Sequence, residues 1–141
     1  METGYQVYEL GAMDSWERHI GGRVPVPGRK FLEGELALAS FGVSVNERKP
    51  GEEAGYWHDH HVVEELYLFL EGEGELALGT ELLQVHAGTA VRVGPGVPRT
   101  WRCRPDSPIP LRWICVRGGG APLAEIGMDS ERPDLPMPWR A

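Results

Sequence analysis

The chain has 141 residues and carries 21 acidic and 14 basic side chains, which gives a formal net charge of -7. This length fits one domain that buries its core without disulfides or a structural metal. The acidic balance argues against nonspecific binding to nucleic acid, which needs a basic face.

The sequence shows no membrane or export signal. No apolar run approaches the roughly 20 residues needed to cross a bilayer, and the first residues lack the basic and then apolar order of a signal peptide. Cys103 and Cys115 are the only cysteines and do not form a CxxC pair, which is typical of free thiols in a reducing compartment. We therefore expect a cytoplasmic protein without membrane partners.

Glycine and proline are frequent and dispersed. The 19 glycines and 12 prolines are spread between short apolar segments, where they punctuate the chain. This pattern favours an all-β domain with many turns over a helical bundle.

In the first third of the chain, Tyr5–Leu10 is predicted to form a short strand and Met13–His19 a helical turn. Gly21–Lys30 is predicted to be a loop, because its prolines remove donors and its glycines are flexible. Glu35–Glu47 alternates well enough to predict a strand.

After a turn at 49–55, the chain reads as a meander of short strands. Turns every eight to twelve residues between such strands are typical of a sandwich or small barrel. From Gly118 the chain is rich in glycine and proline, and we expect this tail to lie over the surface, with Trp139 available to dock. The predicted strands are Glu65–Leu70, Glu75–Leu78, Leu82–His86, Ala90–Val93, Arg99–Cys103 and Leu111–Arg117.

The segment YWHDHHVVEELYLFL combines three histidines with carboxylates just before the strongest strand. Residues at i and i+2 of an extended chain share a face, so His58 and His60 are expected to project together. Glu65 heads into an apolar strand, where a carboxylate must find a partner. Two imidazoles and one carboxylate form a facial triad suited to Fe, Mn, Ni or Zn. The alternative interpretation is a solvated loop, since clustered histidines are not always ligands.

At this spacing the segment resembles the first motif of the cupin family, which has HxH, four residues, Glu, six residues and Gly. Here the motif is His58-Asp-His60, then Glu65 and Gly72. The resemblance implies an all-β, single-domain cupin barrel (a double-stranded β-helix or jelly roll) over 1–141. Its motif core lies at about 49–117, with an N-terminal strand and loop at 1–34 and the tail at 118–141. A metal held by His58, His60 and Glu65 and a small-molecule pocket are also implied.

The second cupin motif, G-x5-P-x-G-x2-H-x3-N, is matched with substitutions. Gly94 stands at the proline position, Arg99 at the position of a histidine ligand, and Cys103 at the asparagine position. Arginine offers only donors and cannot ligate a cation. Either a three-ligand metal site remains and Arg99 binds a substrate carboxylate or phosphate, or Arg99 pairs with Glu65 and replaces the metal's charge.

In the family frame, Tyr67, Arg99 and Trp101 face the same interior as Glu65, and we predict them to be substrate-binding residues. Cys103 is expected to be a small core residue. His61 and His86 are possible substitute ligands, but we expect both at the surface, because His61 would need a bulge to reverse its face and His86 lies just before a turn.

Two functions remain open from the sequence. One is a metal-dependent isomerase, lyase or dioxygenase acting on a small polar or anionic molecule. The other is a non-catalytic cupin that binds or senses a small molecule, with or without metal, because one fold carries many activities. We also expect a homodimer, since small barrels leave edge strands that need cover.

Overall fold

A computed structural model describes residues 4–22, 25–119 and 129–139 of the chain. Within these ranges the regular structure consists of short antiparallel strands and two 3-10 helices, at Met13–Arg18 and Leu32–Gly34. The strands are β1 (Ile20–Gly21), β2 (Val26–Pro27), β3 (Arg29–Phe31), β4 (Phe41–Arg48), β5 (Asp59–His60), β6 (Glu64–Glu71), β7 (Glu73–Leu78), β8 (Glu81–His86), β9 (Ala90–Val93), β10 (Arg99–Cys103), β11 (Leu111–Gly118) and β12 (Ser130–Glu131). The predicted all-β class is confirmed.

Two sheets dominate the domain. One has five strands in the order β3-β4-β11-β6-β9, and the other has three in the order β10-β7-β8. Their inner faces enclose one apolar core, and the alternation of each strand directs every second side chain into it. The buried core consists of Tyr67, Phe69, Leu76, Val85, Val93, Trp101, Cys103, Leu111, Trp113 and Cys115.

The turn between β6 and β7 depends on Gly72, the glycine that closes the first sequence motif. Its φ is +81°, and a Cβ at this position would lie 2.4 Å from the carbonyl oxygen of Pro110. Both the backbone conformation and the close approach therefore require glycine.

From residue 64 to 118 the strands lie within two residues of their predicted bounds. The first third differs more. Tyr5–Leu10 forms no strand, and Tyr5 and Val7 are 74% and 76% exposed. An alternating pattern forms a strand only when a neighbouring strand accepts its hydrogen bonds.

Two further segments of the N-terminal third also depart from prediction. The predicted loop at 21–30 contains β2 and the start of β3. The predicted strand at Glu35–Glu47 begins only at Phe41, because the amides of Glu35 and Leu36 donate to the carbonyl of Leu32 and close a local turn. Local backbone hydrogen bonds here replace those of a ladder.

The C-terminal tail packs against its own domain where it is described, at 129–139; residues 120–128 of the predicted tail lie outside the described ranges. The indole of Trp57 donates to the carbonyl of Pro136 at 3.2 Å. The indole of Trp139 donates to Glu53 at 2.6 Å, and the guanidinium of Arg102 lies 5.3 Å from its ring centroid. The predicted docking of Trp139 is thus made within the chain.

None of the described helices is long and apolar enough to span a membrane.

Candidate metal centre and ligand cavity

The predicted metal ligands come together through two strands and a backbone bridge. His58 and His60 flank Asp59 on extended chain, so their rings share a face, with centroids 5.3 Å apart. The His58 amide donates to the carbonyl of Arg99, and the Arg99 amide donates back, at 3.0 and 2.9 Å. Glu65 reaches the same place from β6. The structure therefore brings all three predicted ligands together.

One donor atom from each of His58, His60 and Glu65 lies within 4.8 Å of the other two. The Nε2 atom of His58 is 3.4 Å from Glu65 Oε1, and that of His60 is 3.7 Å from Glu65 Oε2. Metal–ligand bonds at such sites are about 2.0–2.2 Å long, so two donors of one ion are separated by more than one bond length and by less than two. The distances among the three donors here fall within that range or can reach it by small side-chain rotations. The donor set and its spacing fit a divalent metal.

A carboxylate from the tail orients His60. Asp129 Oδ1 lies 3.1 Å from His60 Nδ1, while its Oδ2 accepts the amides of Val62 and Val63 at 2.9 and 3.0 Å. A carboxylate only accepts, so Nδ1 carries a proton toward Asp129, and Nε2 is the ring nitrogen directed at Glu65. This carboxylate–histidine arrangement is the usual support of a metal-bound imidazole.

Glu65 is held from several sides. Its Oε1 accepts from Arg99 Nη1 at 2.6 Å and from the Tyr67 hydroxyl at 2.8 Å. The thiol of Cys115 donates to its Oε2 at 3.3 Å. The strong donors converge on Oε1. The other oxygen, Oε2, lies nearer to His60 and is therefore the one open to a further ligand.

These contacts shift the pKa values at the centre. Burial lowers the pKa of His58 and outweighs the opposing effect of Glu65. Burial also acts to lower the pKa of His60, but Glu65 and Asp129 together raise it. Burial acts to raise the pKa of Glu65, but the two imidazoles hold it well below its usual value. Glu65 is therefore an ionised, buried carboxylate at neutral pH.

The centre opens onto a cavity of about 730 Å³ between the two sheets. Tyr56, Tyr67, Trp101 and Trp113 give it aromatic walls. A cavity of this size, with aromatic walls and convergent polar groups, is typical of a small-molecule site. The polar side chains that line it include Arg29, Glu33, Ser44, Asn46, His58, His60, Glu65, Arg117 and Arg132.

The three predicted substrate-binding residues differ in position. Tyr67 and Trp101 line the cavity, whereas Arg99 is fully buried behind Glu65 and is not among the described residues that line it. Arg99 Nη2 and Nε donate to the carbonyl of Val97 at 2.6 and 3.1 Å. Its contacts match the interpretation in which Arg99 pairs with Glu65, because no donor is directed at the ligand space.

His61 and His86 lie at the surface, as predicted. His86 is exposed, and His61 points away from the cavity toward Glu131, with Nε2 and Oε1 3.1 Å apart. Asp59, His61 and Glu131 form a second group of donor atoms on the outer side of β5 and β12. Cys103 is a fully buried core residue.

Sequence reasoning missed Asp129, Cys115, Arg29 and Arg117. Asp129 is about 70 positions from His60 and reaches it only because β12 pairs with β5. Cys115 and Arg117 have the strand parity of a cavity wall, which their alternation in β11 would have indicated. Arg29 lies in a segment predicted to be a loop, so its strand parity gave no signal.

Comparison with solved structures supports the fold. A cupin protein from Bacteroides fragilis is 28% identical, with a TM-score of 0.62, over 76% of this chain and 89% of that one. A double-stranded β-helix protein from Klebsiella pneumoniae is 18% identical, with a TM-score of 0.65, over 92% of this chain and all of that one. A nucleoside dehydratase from Streptomyces shares the fold at 12% identity and a TM-score of 0.54, covering 67% of this chain and 68% of that one.

No curated protein matches the chain. The family profile described as the cupin domain matches residues 45–117, which include the HxH motif, Glu65 and the whole of β6 to β10. This match covers more than half of the chain, and the structure has the double-stranded β-helix that the motif implied. The chain belongs to the cupin domain family.

Proposed function

We propose that this cupin binds a divalent metal through His58, His60 and Glu65 and holds a small polar or anionic molecule beside it. The observation that carries the proposal is the convergence of three donor atoms, one imidazole already oriented by Asp129, at the wall of a ligand-sized cavity. Iron, manganese, nickel and zinc all accept such ligands, and His58, His60 and Glu65 would hold the ion.

The reaction class we propose is isomerisation, elimination or dioxygenation. A divalent ion here would act as a Lewis acid on a substrate oxygen, or support oxygen chemistry if it is iron. Among the chain's own residues, Tyr67 and Trp101 would contact the body of the substrate, since both line the cavity. Burial, with the charge of Glu65, raises the pKa of Tyr67 well above its usual value, so Tyr67 holds Glu65 as a donor and does not serve as a base.

A second candidate function is a metal-free cupin that binds or senses a small molecule without catalysis. The observation that favours it is the 2.6 Å contact between Arg99 and Glu65, which already compensates the buried carboxylate. In that case the guanidinium of Arg99 supplies the positive charge that a metal ion would otherwise provide.

Metal content of protein purified without a histidine tag or nickel column distinguishes the two candidates. Elemental mass spectrometry should find about one equivalent in the native chain and none in His58→Ala. His86→Ala is the matched control, because it removes an exposed histidine far from the centre. His61→Ala tests the outer group of Asp59, His61 and Glu131.

Metal lost in His61→Ala but retained in His58→Ala would overturn the proposed centre. A native chain without metal, together with an Arg99→His variant that acquires it, would favour the metal-free candidate. Metal lost only in His58→Ala supports the proposed function.

We also propose that the protein is a cytoplasmic homodimer. Both cysteines are free thiols, and β3 and β9 are the edge strands of the larger sheet. Exposed Phe41 and Leu66 add apolar surface to that sheet. A monomeric mass in light scattering at tens of micromolar would contradict the dimer.

A further inference from the structure

A second polar feature of the cavity lies across the larger sheet from the metal ligands. Arg29 on β3 pairs in register with Asn46 on β4, and Arg117 on β11 pairs with Gly42 on β4. Arg117 in turn lies opposite Glu65 on β6. All of these positions share the face that lines the cavity, so both guanidiniums belong to the same cavity wall as Glu65.

Arg29 is a buried cation without a described counter-ion. The residue is 8% exposed, and the one hydrogen bond of its side chain among the described residues runs from Nε to Asn46 Oδ1 at 3.4 Å. Asn46 is itself held by Ser44, to which it donates at 3.1 Å. Within the described ranges, no carboxylate oxygen lies within 4.0 Å of Arg29, although a buried charge of this kind normally has a partner.

Arg117 has one donor unused. Its Nη2 pairs with Glu33, but its Nη1 is buried without a hydrogen-bond partner in the described part of the chain. Burial, and then the charge of Arg29, lower the pKa of Arg117 to about 10, so it stays charged at neutral pH.

The aromatic ring of Phe31 joins the two arginines. The guanidinium of Arg117 lies 4.9 Å from its centroid and that of Arg29 lies 6.0 Å from it. Stacking on a ring fixes the plane of a guanidinium and leaves its edge donors available. The two planar groups therefore lie against one ring in the cavity wall.

Two other buried arginines are ion-paired. Arg99 is bound by Glu65, and Arg112 by Glu47 and Glu71, at 2.6 to 3.0 Å. Arg48 has no carboxylate partner among the described residues, but it donates to two carbonyl oxygens and does not belong to the described cavity lining. Arg29 and Arg117 therefore combine incomplete pairing with a place in the cavity wall.

We propose that Arg29 and Arg117 form the binding site for an oxyanion, a carboxylate or phosphate group, on the cavity's small-molecule ligand. A guanidinium fork matches such a group bidentately. The assignment of the oxyanion to the ligand rests on the proposed function, but anion binding itself needs no metal. This gives the ligand a charged end at Arg29 and Arg117 and an uncharged body against the aromatic walls.

Calorimetric titration of metal-free protein tests the site with two probes, inorganic phosphate and benzoate, at constant ionic strength set with chloride. Saturable binding of phosphate would indicate that the ligand carries a phosphate group. Tighter binding of benzoate than of phosphate would indicate a ligand with a carboxylate attached to an aromatic body. Arg29→Met and Arg117→Met should each lower the affinity for the bound probe on the order of tenfold or more. Arg92→Met is the matched control, since it removes an exposed arginine paired with Glu64.

Two measurements separate binding from a structural role. Gly42→Ala keeps every charge, but its Cβ would lie 2.7 Å from Arg117 Cζ. The variant should therefore displace the guanidinium and lower the affinity for the probe. Arg29→Met should raise the thermal midpoint of the anion-free protein, because it removes an uncompensated buried cation. A structural role for Arg29 predicts the opposite change in the midpoint.

The proposal is overturned if neither probe binds saturably, or if Arg29→Met and Arg92→Met bind both probes equally. Metal content, measured on the same preparations, keeps this result separate from the proposed function. If the protein binds an anion but contains no metal, only the proposed metal centre is contradicted. If it contains metal but binds no anion, only the proposed oxyanion site is contradicted.

Discussion

Arg99 and Glu65 form a fully buried ion pair, with Nη1 and Oε1 2.6 Å apart, at the position where the second cupin motif places a histidine ligand. The guanidinium approaches Glu65 from behind the cavity and occupies Oε1 together with the Tyr67 hydroxyl. Arg99 is therefore a positioning residue for Glu65, and the substitution of histidine by arginine need not close the face of Glu65 directed at His60.

Removal of Arg99 should strand a buried carboxylate. We expect Arg99→Met to lower the free energy of unfolding of the metal-free protein by roughly 3–5 kcal/mol, because Glu65 is then uncompensated. Urea denaturation measures the loss. The double variant with Glu65→Gln should recover much of it, since the stranded charge is gone; equal stability of the single and double variants would contradict the pairing.

Asp129 should control metal affinity without touching the metal. Asp129→Asn replaces the carboxylate that orients His60, so we expect the affinity for Zn²⁺ or Mn²⁺ to fall about 10–100-fold. Competition with a chromophoric chelator measures the change. Glu81→Gln, which neutralises an exposed carboxylate on β8, is the control. Unchanged metal affinity in Asp129→Asn would show that Asp129 does not support metal binding by His60.

Both thiols should be unreactive in the native protein. Cys103 and Cys115 are 0% and 6% exposed, and burial raises the pKa of each. A buried, protonated thiol is a poor nucleophile. Ellman's reagent should therefore label neither cysteine before unfolding and both after it. Rapid native labelling that persists in Cys103→Ala would show that Cys115 is accessible from the cavity.

Glu75 should give a pH-dependent contribution to stability. Burial acts to raise its pKa, but hydrogen bonds from Gln84 and Arg102 lower it below the ordinary value of 4.5. A lowered folded pKa stabilises the protein above the unfolded pKa, and this stabilisation is lost as pH falls through the folded value. Glu75→Gln should thus cost about 0.5–1 kcal/mol at neutral pH.

The pH comparison is made by urea denaturation at neutral pH and again well below pH 4.5. The gap between native and Glu75→Gln should close in acid, because the carboxylate is then protonated in both states of the native chain. The exposed Glu81 supplies the control, Glu81→Gln. A gap that stays constant with pH would mean that the residue acts by packing and not by charge.

Local pattern was sufficient for the strands from β6 to β11 and for the three donors His58, His60 and Glu65. Their spacing is short, and the period of an extended chain alone places the imidazoles on one face. The predicted strand at Tyr5–Leu10 does not form, because no described strand pairs with that segment. The same local reasoning could not see that Arg99 points behind Glu65, since parity gives the face of a strand but not the path of a long side chain.

By itself, the sequence determined the all-β class, the turn at Gly72 and the cluster of His58, His60 and Glu65, because each depends on residues close together in the chain. Only the tertiary structure decided that Asp129 orients His60, that Arg99 satisfies Glu65 and that Arg29 and Arg117 face the cavity. Those relationships join residues that are distant in sequence, and strand pairing across the sheets is the physical cause that brings them into contact.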